Sequence, residues 1–204
     1  MATHTLFPTH LYEGRFTSQY TALNRRILSD LEGLELLDDA GRRWSTKNYR
    51  GGYTSYGSVT DLHRRFPAFE ELERLLQPHA KRYAAALGWK LRGRKLTMTT
   101  CWVSRMARNT RHAMHNHPFC VMSGTYYVAA PRGTSSLKVE DPRLALKSAC
   151  PIRKGSSPTV LHPFVSLPPA PGRFYLFESW LRHEVPANPV GRERVSVSFN
   201  YEWS

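Results

Sequence analysis

The sequence predicts an α+β domain, with helices in the first 95 residues followed by a β-sandwich or β-barrel core. Three observations predict it. Before residue 95, apolar residues recur at helical spacing; beyond it they alternate with a period of two; and Pro- and Gly-rich turns punctuate that second half. A chain of 204 residues can bury most of its apolar surface as one unit. Its 41% hydrophobic and 12% aromatic content is that of a globular protein rather than a disordered one.

Leu23, Ile27, Leu28 and Leu31 share one helical face, and Gly33 is a candidate stop. The Gly-, Tyr- and Ser-rich stretch 49–58 predicts turns and a mobile loop rather than a strand pair. A second helix is expected over 69–88, ended by Gly88 and kinked or split by Pro78, which removes a backbone donor. From residue 96 onward, segments 96–104, 120–128, 137–140, 173–177 and 194–201 read as strands. Turns fall between them at Pro131-Arg-Gly, Asp141-Pro and Leu167-Pro-Pro-Ala-Pro-Gly. The proline-rich stretch 151–171 is expected to be a loop over one mouth of the barrel; it and the 49–56 loop are candidate lids. No internal repeat is visible. The expectation is a single domain over 1–204, mainly helical in 1–95 and β-rich in 96–204.

Composition narrows the function classes. No apolar run approaches the ~20 residues of a membrane-spanning helix. The start, Met1-Ala-Thr-His-Thr-Leu-Phe-Pro, lacks the basic and apolar pattern of a secretory signal. Three cysteines, Cys101, Cys120 and Cys150, are an odd number without Cys-x-x-Cys spacing, against both a disulfide framework and a cysteine-rich zinc site. A reducing, cytoplasmic setting with no membrane partner is expected. The 29 Lys and Arg against 16 acidic residues give a net charge of +13. That balance favours an anionic partner: a nucleic acid, an acidic protein or a small anionic metabolite. The basic residues come in scattered pairs and form no tail, so a functionally silent basic surface is the competing reading.

The chemistry concentrates at His112-Ala-Met-His115-Asn-His117-Pro. On a strand, positions i and i+2 face one way, so His115 and His117 can converge on one point. Imidazole is a common ligand for iron, zinc and copper. His-x-His arises easily by chance among nine histidines, but a distant third, His183, follows a strand-like segment. Eleven residues beyond it, Arg194 opens Arg-Val-Ser-Val-Ser-Phe-Asn. A guanidinium grips a carboxylate by two parallel hydrogen bonds, and Ser196 falls on the same strand face. His112 reads either as an orienting neighbour of a ligand or as a surface histidine. Trp102, Trp180 and Phe199 read as core aromatics, and Asn200 as a partner for backbone near the barrel end. There is no Gly-rich phosphate loop and no Ser-His-Asp signature, and no base stands at a readable spacing from any cysteine.

Taken in order, Trp102-Val-Ser, His115-x-His117-Pro, Ser123-Gly-x-Tyr-Tyr-Val, Asp141-Pro-Arg, Leu176-Phe-x-Ser-Trp-Leu-x-His183 and Arg194-x-Ser-x-Ser-Phe-Asn form a recognisable pattern. It resembles a family of 2-oxoglutarate/Fe(II) oxygenases related to the prolyl hydroxylases. The resemblance covers about residues 100–201, and Leu6-Phe-Pro-Thr-His-Leu-Tyr is similar to that family's start. It implies a double-stranded β-helix (jelly roll) core with the helices on one face. It implies Fe(II) held by His115 and His183, and 2-oxoglutarate held through its distal carboxylate by Arg194 and Ser196. Tyr126 or Tyr127 would add a hydrogen bond; one strand cannot turn both inward, and Tyr127 is favoured. Molecular oxygen would be the other cosubstrate, with hydroxylation of an unactivated C–H bond, succinate and carbon dioxide as the outcome.

The sequence departs from the family pattern at the second ligand, where an Asp or Glu is usual and His117 stands instead. His117 as a true third ligand is favoured; a carboxylate from Asp141, or a two-histidine centre that His117 merely lines, are the alternatives. Two other function classes stay open: a three-histidine metal dioxygenase that does not use 2-oxoglutarate, and a non-catalytic basic binding module on the same fold. The first has no need of Arg194.

Overall fold

The computed structural model describes residues 1–18 and 20–203. Four α-helices, α1 (Tyr20–Leu37), α2 (Asp39–Asn48), α3 (Leu62–Arg65) and α4 (Pro67–Ala86), occupy the first half. α4 begins with Pro67, whose fixed φ and missing N–H suit the first turn of a helix. Pro78 neither splits nor ends it. Leu72, Leu76, Ala80, Tyr83 and Ala84 are buried on both sides of the proline, and that packing outweighs the roughly 3 kcal/mol cost of an interior proline. Gly33 does not stop α1 either; the helix runs on to Leu37. The turn is made by Asp38, which accepts from the Gly41 amide at 2.8 Å and so caps α2. Its other oxygen accepts from Tyr53 Oη at 2.8 Å and from Ser58 Oγ, tying α2 to the strand that follows.

The strands are β1 (Leu11–Arg15), β2 (Gly52–Thr54), β3 (Leu96–Met106), β4 (His112–His115), β5 (Met122–Ala129), β6 (Leu137–Glu140), β7 (Phe164–Leu167), β8 (Arg173–Glu178), β9 (His183–Val185) and β10 (Arg194–Trp203). They form a six-stranded sheet of order β1-β8-β5-β10-β3-β2 and a four-stranded sheet of order β4-β9-β6-β7. Every pairing between these strands is antiparallel. The five strands predicted by alternation are β3, β5, β6, β8 and β10. The other five are short, and two lie where loops were expected: β2 within 49–58 and β7 within 151–171.

Alternation on the large sheet sorts its side chains into two cores. Tyr126, Val128, Phe174 and Leu176 join Leu23, Ile27, Leu72 and Leu76 of α1 and α4. Tyr127, Tyr175 and Phe177, one residue out of phase, pack with Leu137, Leu167 and Val185 of the small sheet. The chain is therefore an α+β arrangement in three layers: helices, large sheet, small sheet. Gly124 on β5 permits the close approach within the large sheet. A Cβ there would lie 2.4 Å from the Phe199 ring and 2.7 Å from the Tyr175 carbonyl oxygen. Among the described residues, no helix is long and apolar enough to cross a membrane.

Candidate metal centre

The small sheet brings two of the histidines together. β4 and β9 pair with His115 directly opposite His183 and His112 opposite Val185, so the two imidazoles project from one face. β4 ends at His115, and His117 reaches the same point from the following turn, where its amide donates to the Ser179 carbonyl at 2.9 Å. The ring centroids stand 4.3 Å apart for His115 and His183, and 5.2 Å for His117 with each of the others. One nitrogen from each of the three lies within 4.8 Å of the other two, which makes the trio a candidate metal site.

The hydrogen bonds of these rings determine which nitrogen is available. His115 Nδ1 lies 2.7 Å from the Ala113 carbonyl, His183 Nδ1 2.8 Å from the Leu181 carbonyl, and His117 Nδ1 2.7 Å from Asn200 Oδ1. All three partners are oxygens that only accept, so each Nδ1 carries the proton. Each Nε2 lone pair is left for a cation. Burial, with the neighbouring imidazoles adding to it, pushes His183 down to about 3. Burial lowers His117 to about 4, against its bond to Asn200, and it lowers His115 as well. Three neutral imidazoles around one point fit a divalent metal ion, which takes only deprotonated ligands.

Among the described residues, no carboxylate joins them. Asp141 is turned toward Arg143, whose Nε lies 3.0 Å away, and toward Lys147, and it lies outside the histidine group. Burial works against its ionisation, but these hydrogen bonds outweigh burial and hold its carboxyl below the usual range. The structure therefore does not bring the Asp141 alternative to the centre.

The three histidines share the lining of a small cavity, about 40 Å³, with Tyr49, Ser104, His112, Arg194 and Ser196 among others. Arg194 is 2% exposed. Its Nη1 donates to Ser196 Oγ at 3.2 Å and lies 3.1 Å from Met106 Sδ, while its Nε has no partner. Among the described residues, no carboxylate is paired with it. The guanidinium stands over the Tyr127 ring, 4.9 Å from its centroid. The hydroxyls of Tyr127 and Tyr49 are also buried without partners. An uncompensated buried charge costs several kcal/mol, so this cradle is built for an anion. Tyr126, the other candidate donor, instead faces the helices, where its hydroxyl donates to Asn24 Oδ1 at 2.6 Å, and it does not line the cavity.

Several site residues escaped sequence reasoning. Tyr49 and Ser104 line the cavity, as does His112, which was read as an orienting neighbour or a surface histidine, and Trp102, buried as expected, stacks on His117 with centroids 5.7 Å apart. Trp180, also expected in the core, is 43% exposed. Asn200 does not serve the backbone. Its Oδ1 takes hydrogen bonds from His117 Nδ1 and from Ser123 Oγ, each at 2.7 Å, and its Nδ2 donates to Thr100 Oγ1 at 2.9 Å. Parity was the available signal: 194, 196, 198 and 200 share one face of β10. Of the two candidate lids, the 49–56 segment supplies Tyr49 and Tyr56 to the walls near the histidines. Residues 151–163 instead line surface grooves with Leu144, Lys147 and the N-terminal segment.

Comparison with known proteins bears on this geometry. Residues 100–200 match the sequence profile of a family described as "Putative 2OG-Fe(II) oxygenase". No curated protein matches the chain by sequence. Among solved structures, a prolyl-4-hydroxylase from Pseudomonas putida aligns at TM-score 0.62 and 13% identity, covering 95% of this chain and 92% of that one. The epimerase SnoN of nogalamycin biosynthesis, solved with Fe3+ and alpha ketoglutarate, aligns at TM-score 0.65 and 15% identity, covering 96% and 79%. HygX from Streptomyces hygroscopicus, solved with nickel and 2-oxoglutarate, aligns at TM-score 0.61 and 14% identity, covering 96% and 83%. At such identities the likeness to these three is one of fold. The matched segment takes in the histidine trio and Arg194, and the chain belongs to the 2-oxoglutarate- and Fe(II)-dependent oxygenases, oxidoreductases whose metal is Fe(II) and whose cosubstrates are 2-oxoglutarate and oxygen.

Proposed function

We propose that this chain hydroxylates an unactivated C–H bond at an iron held by three histidines, His115, His117 and His183, with Arg194 holding 2-oxoglutarate. The observation that carries the reading is a buried guanidinium with no carboxylate partner, sharing one cavity with three neutral imidazoles. When bound, Fe(II) would activate molecular oxygen, the oxidant, with 2-oxoglutarate giving two electrons and the C–H bond two: one oxygen atom would enter the C–H bond, the other succinate, and carbon dioxide would leave. The protein supplies binding, orientation and exclusion of water.

Each residue of the cavity has a part in that. The carbonyls of Ala113 and Leu181 and the amide of Asn200 hold the imidazoles in the tautomer that presents Nε2. With His117 in place of a carboxylate, the ligand set is neutral and leaves the centre one charge more positive than two histidines and an Asp would. Arg194, Ser196 and the Tyr127 hydroxyl converge on the distal carboxylate of 2-oxoglutarate, and Tyr49 adds a further donor. Trp102 and Tyr49 close the apolar side and keep water from the reacting atoms. We further propose that the whole chain is one domain with residues 96–204 as a double-stranded β-helix (jelly roll), on the support of the two sheets and the fold-level neighbours. The free cysteines Cys101, Cys120 and Cys150 suit a reducing compartment such as the cytoplasm.

The test is an anaerobic titration of apo-protein with ferrous iron and then 2-oxoglutarate, followed by the weak visible band that appears when both are bound together. The band should form in wild type and fail in Arg194→Ala. Iron binding without any band in wild type would overturn the assignment of Arg194.

A further inference from the structure

A second cleft, of about 480 Å³, opens onto His115 and His117 from outside the metal centre. One wall is a run of aromatic rings in contact, edge-on or tilted from Trp44 to Trp102 and stacked from Trp102 to His117. Trp44 and Tyr56 have centroids 5.9 Å apart, Tyr56 and Trp102 5.2 Å, and Trp102 and His117 5.7 Å. Tyr56 is 51% exposed, and Phe119 across the cleft is 92% exposed. Apolar rings held open to water beside a reaction centre mark a binding surface.

Of the cations around this cleft, one is part of its lining, and Arg43, Lys47 and Arg50 stand next in sequence to the lining residues Trp44, Asn48 and Tyr49. Arg111 lines it. Arg43 and Lys47, four residues apart on α2, run beside Trp44 and Asn48, which also line it. Arg50 and Arg108 lie in the two adjoining loops, which meet where Gly51 approaches Thr110 and the Arg108 carbonyl. All five cations are exposed, and among the described residues none is in an ion pair. The neighbouring Arg42, by contrast, is tied to Asp39. Glu202 is the one carboxylate among the residues named in the cleft wall, and its Oε1 already accepts from Thr99 Oγ1 at 2.9 Å.

Aromatic walls take four kinds of ligand: cations, sugar rings, proline rings and nucleobases. The charge decides among them. Five free cations repel a cationic ligand and give a neutral ring nothing. A base joined to phosphates uses both features, its π face on the rings and its phosphates on the rim. In a duplex the base faces are already stacked and hidden, so the match is to a single strand.

We propose that this cleft binds single-stranded nucleic acid as the enzyme's substrate, one base entering between the Trp44–Tyr56–Trp102 wall and Phe119. The flanking phosphates lie on Arg43, Lys47, Arg50, Arg108 and Arg111. The substrate role rests on the oxygenase reading above; the binding does not.

The experiment is fluorescence anisotropy on protein loaded with Fe(II) and 2-oxoglutarate under nitrogen, so that binding is read without turnover. The probes are fluorescein-labelled 15-mers of oligo(U) and oligo(dT), the corresponding duplexes, and a polyglutamate 15-mer. Single strands should bind about tenfold tighter than duplex or polyglutamate, with log affinity falling against log salt at a slope of about −2 to −4. Tyr56→Ala and Phe119→Ala, both at exposed positions, should each weaken binding roughly tenfold without changing that slope or the melting temperature. Arg111→Gln and Lys47→Gln should each reduce the slope by about 0.7. Absence of binding at low salt overturns the proposal. So does polyglutamate or duplex binding as tightly as the single strand, or indifference to both aromatic substitutions. The visible band of the iron–2-oxoglutarate complex is recorded in the same samples. A band without oligonucleotide binding sinks this proposal and spares the oxygenase reading; oligonucleotide binding without a band does the reverse.

Discussion

Tyr126 and Tyr127 are neighbours on β5, equally buried, and opposite in role. The first faces the helices, where its hydroxyl meets Asn24, which in turn donates to the Val128 carbonyl at 2.8 Å. The second faces the small sheet, where its hydroxyl has no partner and Arg194 stands over its ring. The difference extends to the two faces of the large sheet. The helix face is packed with Leu, Ile, Phe and Tyr side chains. Its partnerless polar groups, His63 and the Tyr201 hydroxyl, sit singly among them. On the other face, the partnerless Tyr49 and Tyr127 hydroxyls and the Nε of Arg194, an unpaired cation, stand near three neutral imidazoles. Unsatisfied polar atoms occur on both faces; what marks a ligand site is their convergence beside an unpaired charge.

The widest separation should come from His183→Ala. Loss of a ligand is expected to weaken ferrous iron binding by more than the roughly 10–100-fold that an outer partner costs, and to abolish turnover. Retention of tight iron binding in an equilibrium titration would break the three-histidine assignment. Next comes Arg194→Ala, which should weaken 2-oxoglutarate binding by about 2–5 kcal/mol. The metal-free protein should melt no lower, because an uncompensated buried charge has been removed. Arg194→Lys should not restore binding, since an ammonium cannot make the two parallel bonds. Calorimetric titration and thermal melting read the two effects separately.

Asn200→Leu should weaken iron binding by about 10–100-fold by freeing the His117 ring, while 2-oxoglutarate affinity measured at saturating iron stays near wild type. Equal loss of both would mean that Asn200 is merely structural. The pH dependence of the metal-free protein follows from the lowered histidines. A group whose folded pKa is depressed favours the neutral form in the fold. Its contribution is therefore fully present above the unfolded value near 6.5 and is lost as pH falls toward the folded value. With His183 pushed down to about 3, its share of that loss between pH 7 and 5 is ~2 kcal/mol. Denaturant melts of apo-protein should show the decline, and a flat profile over that window would contradict neutral burial of the trio. The smallest effect belongs to the helix face: Tyr126→Phe should cost only about 1 kcal/mol of stability, with iron and 2-oxoglutarate binding untouched.

Much of this was legible before any coordinates. The longer strands β3, β5, β8 and β10 carry enough alternation to declare themselves, and even four-residue β6 does so through Leu137-Lys-Val-Glu. β2, β4, β7 and β9, at three or four residues, offer too few positions for a period to emerge, and they are stabilised by neighbours distant in sequence. Pro78 as a point of splitting and Gly33 as a stop misled for the same reason: local propensity costs a few kcal/mol at most, and burial of a helix face outweighs it.

The sequence by itself determined the three histidines as ligand candidates, the arginine eleven residues beyond the last, the positive charge and the α+β order. Residue type and local spacing are sufficient for those. Only the tertiary structure decided that Tyr127 and not Tyr126 faces the small sheet and Arg194, that Asp141 is held by Arg143 and Lys147, and that Asn200 holds the His117 ring. Those outcomes depend on strand register and on contacts between residues 2 to 102 apart in the chain, where small differences in packing decide which partner a polar group meets.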